Sequence, residues 1–100
     1  MIPVAFINLE RRPDRRSSVE TQLSGHPIVY RYVAKDARVY QFSEDELSVF
    51  VDADFMHDKK IANPIMCNFL SHYDLWDFME EKGIQKMVIL QDDAILKENV

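Results

Sequence analysis

Glycine occurs only at Gly25 and Gly83, proline only four times in 100 residues, and no low-complexity tract, internal repeat or linker interrupts the chain. The sequence therefore reads as one domain or part of one, with length for a single small core. Cysteine occurs once, at Cys67, so no internal disulfide can form and nothing requires an oxidising compartment. A reduced, cytoplasmic setting is the expectation. No stretch approaches the roughly 20 apolar residues that span a bilayer, which leaves peripheral contact as the expected way of meeting a membrane. The opening Met1-Ile2-Pro3-Val4-Ala5-Phe6-Ile7 is apolar but has no basic leader, and reads as a strand rather than a signal peptide. Positive charge is scarce too: 12 Lys and Arg stand against 17 Asp and Glu, for a net charge of -5. That balance argues against general nucleic-acid binding, which rests on clustered cations. Any anionic ligand must be met locally.

What is present is an alternation of apolar runs and helical patterns. Val4 to Ile7 reads as a buried strand ended by Asn8, which suits a turn. Pro13 is placed as a first helical residue, and Val19 and Leu23 fall four apart on one face before Gly25 and Pro27 close the helix. Ile28 to Val33 gives a second strand, so the opening third has the spacing of a strand–helix–strand unit. Ser43-Glu44-Asp45-Glu46 has the form of a capping box and predicts a short helix over Glu44 to Val51. Asp52 to Asn63 reads as a polar loop. Asn63-Pro64 then supplies a cap and first turn for a long helix, in which Ile65, Phe69, Tyr73, Trp76 and Met79 recur at helical spacing until Gly83. Met87 to Leu90 predicts a third strand. Strands alternating with helices imply an α/β fold with a mostly parallel sheet. In such sheets ligands bind beyond the carboxyl ends of the strands, which places Asn8 to Arg12, Ala34 to Asp36 and Gln91 to Asp93 at one edge.

Several side chains could carry chemistry there. Arg11, Arg12, Arg15 and Arg16 crowd a helix N-terminus, where the dipole disfavours cations and welcomes anions. They are either a solvated basic end tempered by Glu10, Asp14 and Glu20, or the holder of a negatively charged ligand such as phosphate, with Arg15 singled out. Asp36 either caps a turn or accepts hydrogen bonds from a ribose or base. Strand geometry sends neighbouring side chains to opposite sides, so Gln91 and Asp93 are expected to share a direction while Asp92 points away. They could meet magnesium or manganese, which bind through one or two carboxylates plus substrate phosphates, or simply begin an acidic turn. Ser71 and His72 could offer a hydroxyl and an imidazole, although mid-helix Ser and His more often bond to backbone. No aspartate stands at a spacing that marks a hydrolytic triad. Cys67 reads as a buried small hydrophobe, Tyr73 and Trp76 as core, and His26 and His57 suggest no zinc site.

Three blocks taken together resemble glycosyltransferase family 25, the group of bacterial lipooligosaccharide galactosyltransferases and procollagen galactosyltransferases. They are Phe6-Ile7-Asn8-Leu9-Glu10-Arg11-Arg12-Pro13-Asp14-Arg15-Arg16, Cys67-Asn68-Phe69-Leu70-Ser71-His72-Tyr73-Asp74-Leu75-Trp76 and Val88-Ile89-Leu90-Gln91-Asp92-Asp93-Ala94. The resemblance implies a Rossmann-like GT-A nucleotide-sugar-binding fold, a UDP-galactose-type donor, a divalent cation (manganese, or else magnesium), and a saccharide, glycan or hydroxylated acceptor. By position, Asn8 and Arg15 would hold the nucleotide, Asp36 would lie near its uridine, and Ser71 and His72 would line the donor pocket. Gln91 and Asp93 would occupy the metal motif, whose usual reading is Glu-Asp-Asp, so Gln91 removes one negative charge. Asn63-Pro64-Ile65-Met66 likewise replaces a glycine-containing helix entry, where only glycine lacks a Cβ.

Family members need roughly two hundred or more residues, within the usual domain range, so the chain is expected to be an N-terminal nucleotide-sugar-binding portion. A degenerate, non-catalytic nucleotide-binding or interaction module is the alternative. A third reading, a receiver-like or phosphatase-like domain holding magnesium at Asp92-Asp93, fits less well because such folds place the acidic strand end early in the chain. A truncated sheet would expose an edge or an apolar face, so self-association is also expected.

Overall fold

The structure, a computed structural model, describes residues 2–51 and 53–96. Its elements follow in chain order as β1 (Val4–Asn8), α1 (Pro13–Gln22), β2 (Val29–Val33), α2 (Glu44–Phe50), a 3-10 helix (Asp54–His57), α3 (Lys59–Lys82) and β3 (Val88–Gln91). The three strands form one parallel sheet in the order β2-β1-β3. The strand first in sequence is thus the central one. All five residues of β1 are buried, whereas both flanking strands are partly exposed.

Alternation along β1 divides the core in two. Val4 and Phe6 pack with Val19 and Leu23 around α1, while Ala5 and Ile7 meet Leu75 of α3 on the opposite face. Full burial of a side chain such as Phe6 is worth about 1.5–3 kcal/mol. The sheet is therefore held as the middle layer between two helices. A third cluster, Phe50, Ala62 and Met66, fixes α2 against the first turns of α3. No helix among the described residues is long and apolar enough to cross a membrane.

Pro13 opens α1 as expected, and Ser43 closes its capping box with Glu46 at the head of α2. The long helix starts earlier than the Asn63-Pro64 signal predicts. Asp58 caps it, its carboxylate accepting from the Lys60 amide at 3.0 Å, and Pro64 sits inside the helix. A proline lacks the donor that helix interiors need, but the turn before it is already anchored by the cap and by buried Ala62. The residues expected as polar loop thus contain the 3-10 helix and the first turn of α3, with Asp52 lying outside the described residues.

A second correction concerns which face of α3 is covered. Ala62, Met66, Cys67, Ser71 and Leu75 are buried, whereas Tyr73 and Trp76 are half exposed, at 50% and 49%. Small and slender side chains let the helix approach the sheet. The bulky aromatics are turned outward.

Candidate functional site

The carboxyl ends of the strands meet at one edge, where a cleft of about 370 Å³ opens. The Leu9–Arg15 segment, the Ala34–Arg38 loop, α3 and the end of β3 all contribute to its walls. Each contribution has a local cause. The turn after β1 presents Arg11 and the first turns of α1 present Arg15, while α3 adds Pro64, Cys67, Asn68 and Ser71, which share one face by their helical spacing.

Beneath the cleft lies Asn8, fully buried at 0% exposure. Its Nδ2 donates to Asp92 Oδ2 at 2.9 Å and to the Arg12 carbonyl at 3.1 Å. Its Oδ1 accepts from Arg31 Nη2 at 2.9 Å and Nε at 3.2 Å. One carboxamide therefore joins a side chain from β2 to the turn after β3 and leaves no buried polar atom unmatched. Asn8 is not itself a wall of the cleft.

Six charged side chains do form the wall: Arg11, Arg15, Lys35 and Arg38, against Asp36 and Asp92. In a chain of net charge -5 this local excess of cations is an anion-attracting environment. Arg11 Nε donates to Asp36 Oδ2 at 2.7 Å, and Arg15 Nη1 donates to Asp92 Oδ1 at 3.4 Å. The Arg38 backbone amide, and behind it the Arg11 guanidinium, hold the Asp36 carboxyl below its ordinary value. Among the described residues Arg38 is the one arginine that makes no ion pair.

Lys35 is bound from below. Its ammonium meets the Asp74 carboxylate and the Tyr32 hydroxyl, and lies 5.5 Å from the centre of the Tyr40 ring. Burial opposes its charge, but these hydrogen bonds together outweigh that penalty and hold the ammonium above its ordinary pKa. Its backbone amide donates to Ser71 Oγ at 3.3 Å, tying the Asp36 loop to α3. The lysine is thus a strut for that loop. Burial pushes the neighbouring Cys67 thiol up, which keeps it protonated.

The expected residues therefore separate into groups. Arg15, Asp36, Ser71 and Gln91 line the cleft, with Asn8 directly beneath. His72 does not: its ring Nδ1 lies 2.9 Å from the Asn68 carbonyl, and the ring leans towards Trp76. Asp93 is exposed and outside the lining, whereas Asp92, expected to point away from Gln91, is a wall of the cleft beside it. The reason is that strand alternation stops at Gln91. Asp92 and Asp93 lie in a turn closed by the Ala94 amide on the Gln91 carbonyl at 3.1 Å. Gln91 Nε2 donates to Asn68 Oδ1 at 3.0 Å, bridging β3 to α3.

Nothing in the sequence pattern marks Lys35 or Arg38 as walls of the cleft. The i+3 and i+4 spacing of Pro64, Cys67, Asn68 and Ser71 is the signal that could have found Asn68, but the same spacing also admits His72, which only the structure turns aside. No group of three or more His, Cys, Asp or Glu side chains among the described residues is placed to hold a metal ion. The Asp92 carboxylate and Gln91 amide oxygen are nonetheless hard donors on one wall. Hard oxygen donors of this kind suit magnesium or manganese.

A family model described as glycosyltransferase family 25 (LPS biosynthesis protein) matches residues 1–100. Procollagen galactosyltransferase 1-A of Xenopus laevis is 30% identical over 95 residues, covering 90% of this chain and 16% of the relative. A glycosyltransferase 25 family member of Drosophila melanogaster is 30% identical over 97 residues, with the same two coverages. Inactive glycosyltransferase 25 family member 3 of Homo sapiens is 26% identical over 103 residues, covering 96% of this chain and 17% of the relative. The chain thus spans only 16 to 17% of the length of these curated relatives. No solved structure matches it.

Proposed function

The chain belongs to glycosyltransferase family 25, and from that premise we propose that it is the N-terminal nucleotide-sugar-binding portion of a GT-A-type hexosyltransferase. The reading is transfer of a sugar, in the first instance galactose from UDP-galactose, to a saccharide, glycan or hydroxylated acceptor in a cytoplasmic setting. The observation that carries it is the convergence of three parallel strand ends on one cleft with four cationic and two anionic side chains. Arg11 and Arg15 provide planar donors for a diphosphate. Asp36, in the loop after β2, stands where an acidic side chain accepts from a ribose. Asn68 contributes an amide to the donor pocket, while Ser71, whose hydroxyl donates to the Cys67 carbonyl at 2.8 Å, shapes its wall, with His72 one turn further along α3 from Asn68.

A divalent cation, manganese or magnesium, would neutralise the diphosphate leaving group as the sugar–oxygen bond breaks. The end of β3 and the turn after it would hold it, through Gln91 and Asp92 on the wall of the cleft. The residues of this chain bind and orient the nucleotide.

One observation favours a second reading, a nucleotide-binding module without turnover: Gln91 brings no charge to the strand end. Calorimetric titration of UDP with and without manganese tests the site that both readings share. Metal-assisted UDP binding is expected, and absence of any UDP binding would sink both. Gln91→Glu is expected to tighten UDP binding in manganese and leave metal-free binding unchanged; failure to tighten argues against the strand end as the metal position.

A further inference from the structure

The two ion pairs in the cleft are unequal. Arg11 and Asp36 meet at 2.7 Å, but Arg15 reaches Asp92 through a single contact at 3.4 Å, the limit of a hydrogen bond. The partners of that loose pair are also held differently. Asp92 is 9% exposed and is fixed by Asn8, which Arg31 fixes in turn. Arg15 has a side chain 40% exposed, and among the described residues Asp92 is the one hydrogen-bond partner of its guanidinium. If the contact breaks, Arg15 moves and Asp92 stays.

We propose that Arg15 is a latch on Asp92, and that anion and divalent cation enter this cleft by exchange. An anionic group draws the guanidinium away by offering two oxygens to its fork in place of one distant oxygen. The Asp92 Oδ1 that it leaves belongs to a mostly buried carboxylate that has lost its contacting counter-charge and keeps only the longer-range attraction of Arg12, a costly state, and a divalent cation restores the balance. Each step taken alone is unfavourable. Anion without cation leaves two negative groups facing each other, while cation without anion sits against the Arg15 charge. Binding of the two is therefore positively coupled, and equally so in both directions. Gln91 makes the exchange sharper, since the neutral amide leaves Asp92 as the principal attraction for the cation on that wall. The identity of the anion as a nucleoside diphosphate rests on the reading above; the latching of Asp92 does not.

The experiment uses the 100-residue chain with manganese alone, read by the loss of the free-ion electron paramagnetic resonance signal, and with UDP, read by calorimetry. Arg15→Gln is expected to bind manganese without UDP at least fivefold more tightly than the unsubstituted chain. Arg16→Gln removes the same charge from outside the cleft and is expected to leave manganese affinity within twofold. Asp92→Asn keeps an oxygen for Asn8, so it is expected to fold, to bind UDP several-fold more tightly in the absence of metal, and to lose the manganese dependence. Unchanged manganese affinity in Arg15→Gln, or manganese still promoting UDP binding to Asp92→Asn, overturns the latch. Should the unsubstituted chain fail to bind UDP, the nucleotide reading falls while the manganese arm still decides whether Arg15 masks Asp92.

Discussion

Removing the Asn8 carboxamide would strip hydrogen bonds from Arg31 and Asp92 at once, because both depend on a side chain that is fully buried. Leaving buried polar groups without partners costs about 1–3 kcal/mol. Asn8→Ala is therefore expected to lower stability by about that amount in urea unfolding, and to weaken UDP binding through a misplaced Asp92. Unchanged urea stability would mean that water replaces the amide. At this scale the sequence was informative about composition and less so about direction. Asn8 was legible as the end of the first strand and, through the family resemblance, as a site residue, but its burial and its bridge between Arg31 and Asp92 are long-range and leave no local pattern. Asp92 departs from the direction that alternation predicts, because alternation holds only while a strand continues and the turn begins at Gln91, one residue before the acidic pair.

Among elements, the long helix shows best how far local pattern reaches. Its end was legible at Gly83, which adopts a left-handed φ of 68°, so that the Ile84 amide reaches the Met79 carbonyl at 2.8 Å. A Cβ built there meets nothing within 4 Å, so the penalty of a side chain is conformational alone. Gly83→Ala should cost about 1–2 kcal/mol, measured as a fall in midpoint of thermal unfolding, and Gly83→Asn should cost less. Its start was not legible, because Asn63-Pro64 carries a helix-start signal that the Asp58 cap pre-empts. The capping box of α2 gives a pH prediction. The Tyr40 hydroxyl donates to Glu46 at 2.6 Å, and this bond, followed by burial, pushes Tyr40 up from 10.0 to about 12, while Glu46 is lowered. The raised tyrosine supports the fold fully below pH 10 and loses that contribution as pH rises through about 12. The lowered carboxylate does so above the usual glutamate value of 4.5 and loses it as pH falls. Tyrosinate absorbance should show a component titrating near 12 that Tyr40→Phe abolishes.

For the molecule as a whole, the outward face of α3 is the part that periodicity could not resolve. Ile65, Phe69, Tyr73 and Trp76 recur as a buried stripe would, yet they are 40–50% exposed, with Phe69 and Tyr73 stacked at 6.5 Å. Spacing identifies a helix but cannot say which of two apolar sides the sheet covers; the slender side won because Ala62, Cys67 and Ser71 permit close approach. A contiguous exposed apolar face favours association. Sedimentation should show concentration-dependent self-association that the double substitution Tyr73→Glu and Trp76→Glu abolishes; a monodisperse monomer before substitution would remove the idea. The sheet order carries a different kind of consequence. β1 is the central strand, but its β3 partner, pairing Ile7 with Gln91, lies more than eighty residues further along than β1 itself. During synthesis the first strand must wait, half-paired, through the translation of that whole interval before its second edge is met. Pairing over such a separation slows folding, so the cleft comes into being abruptly when β3 docks rather than as something the nascent chain builds up by degrees.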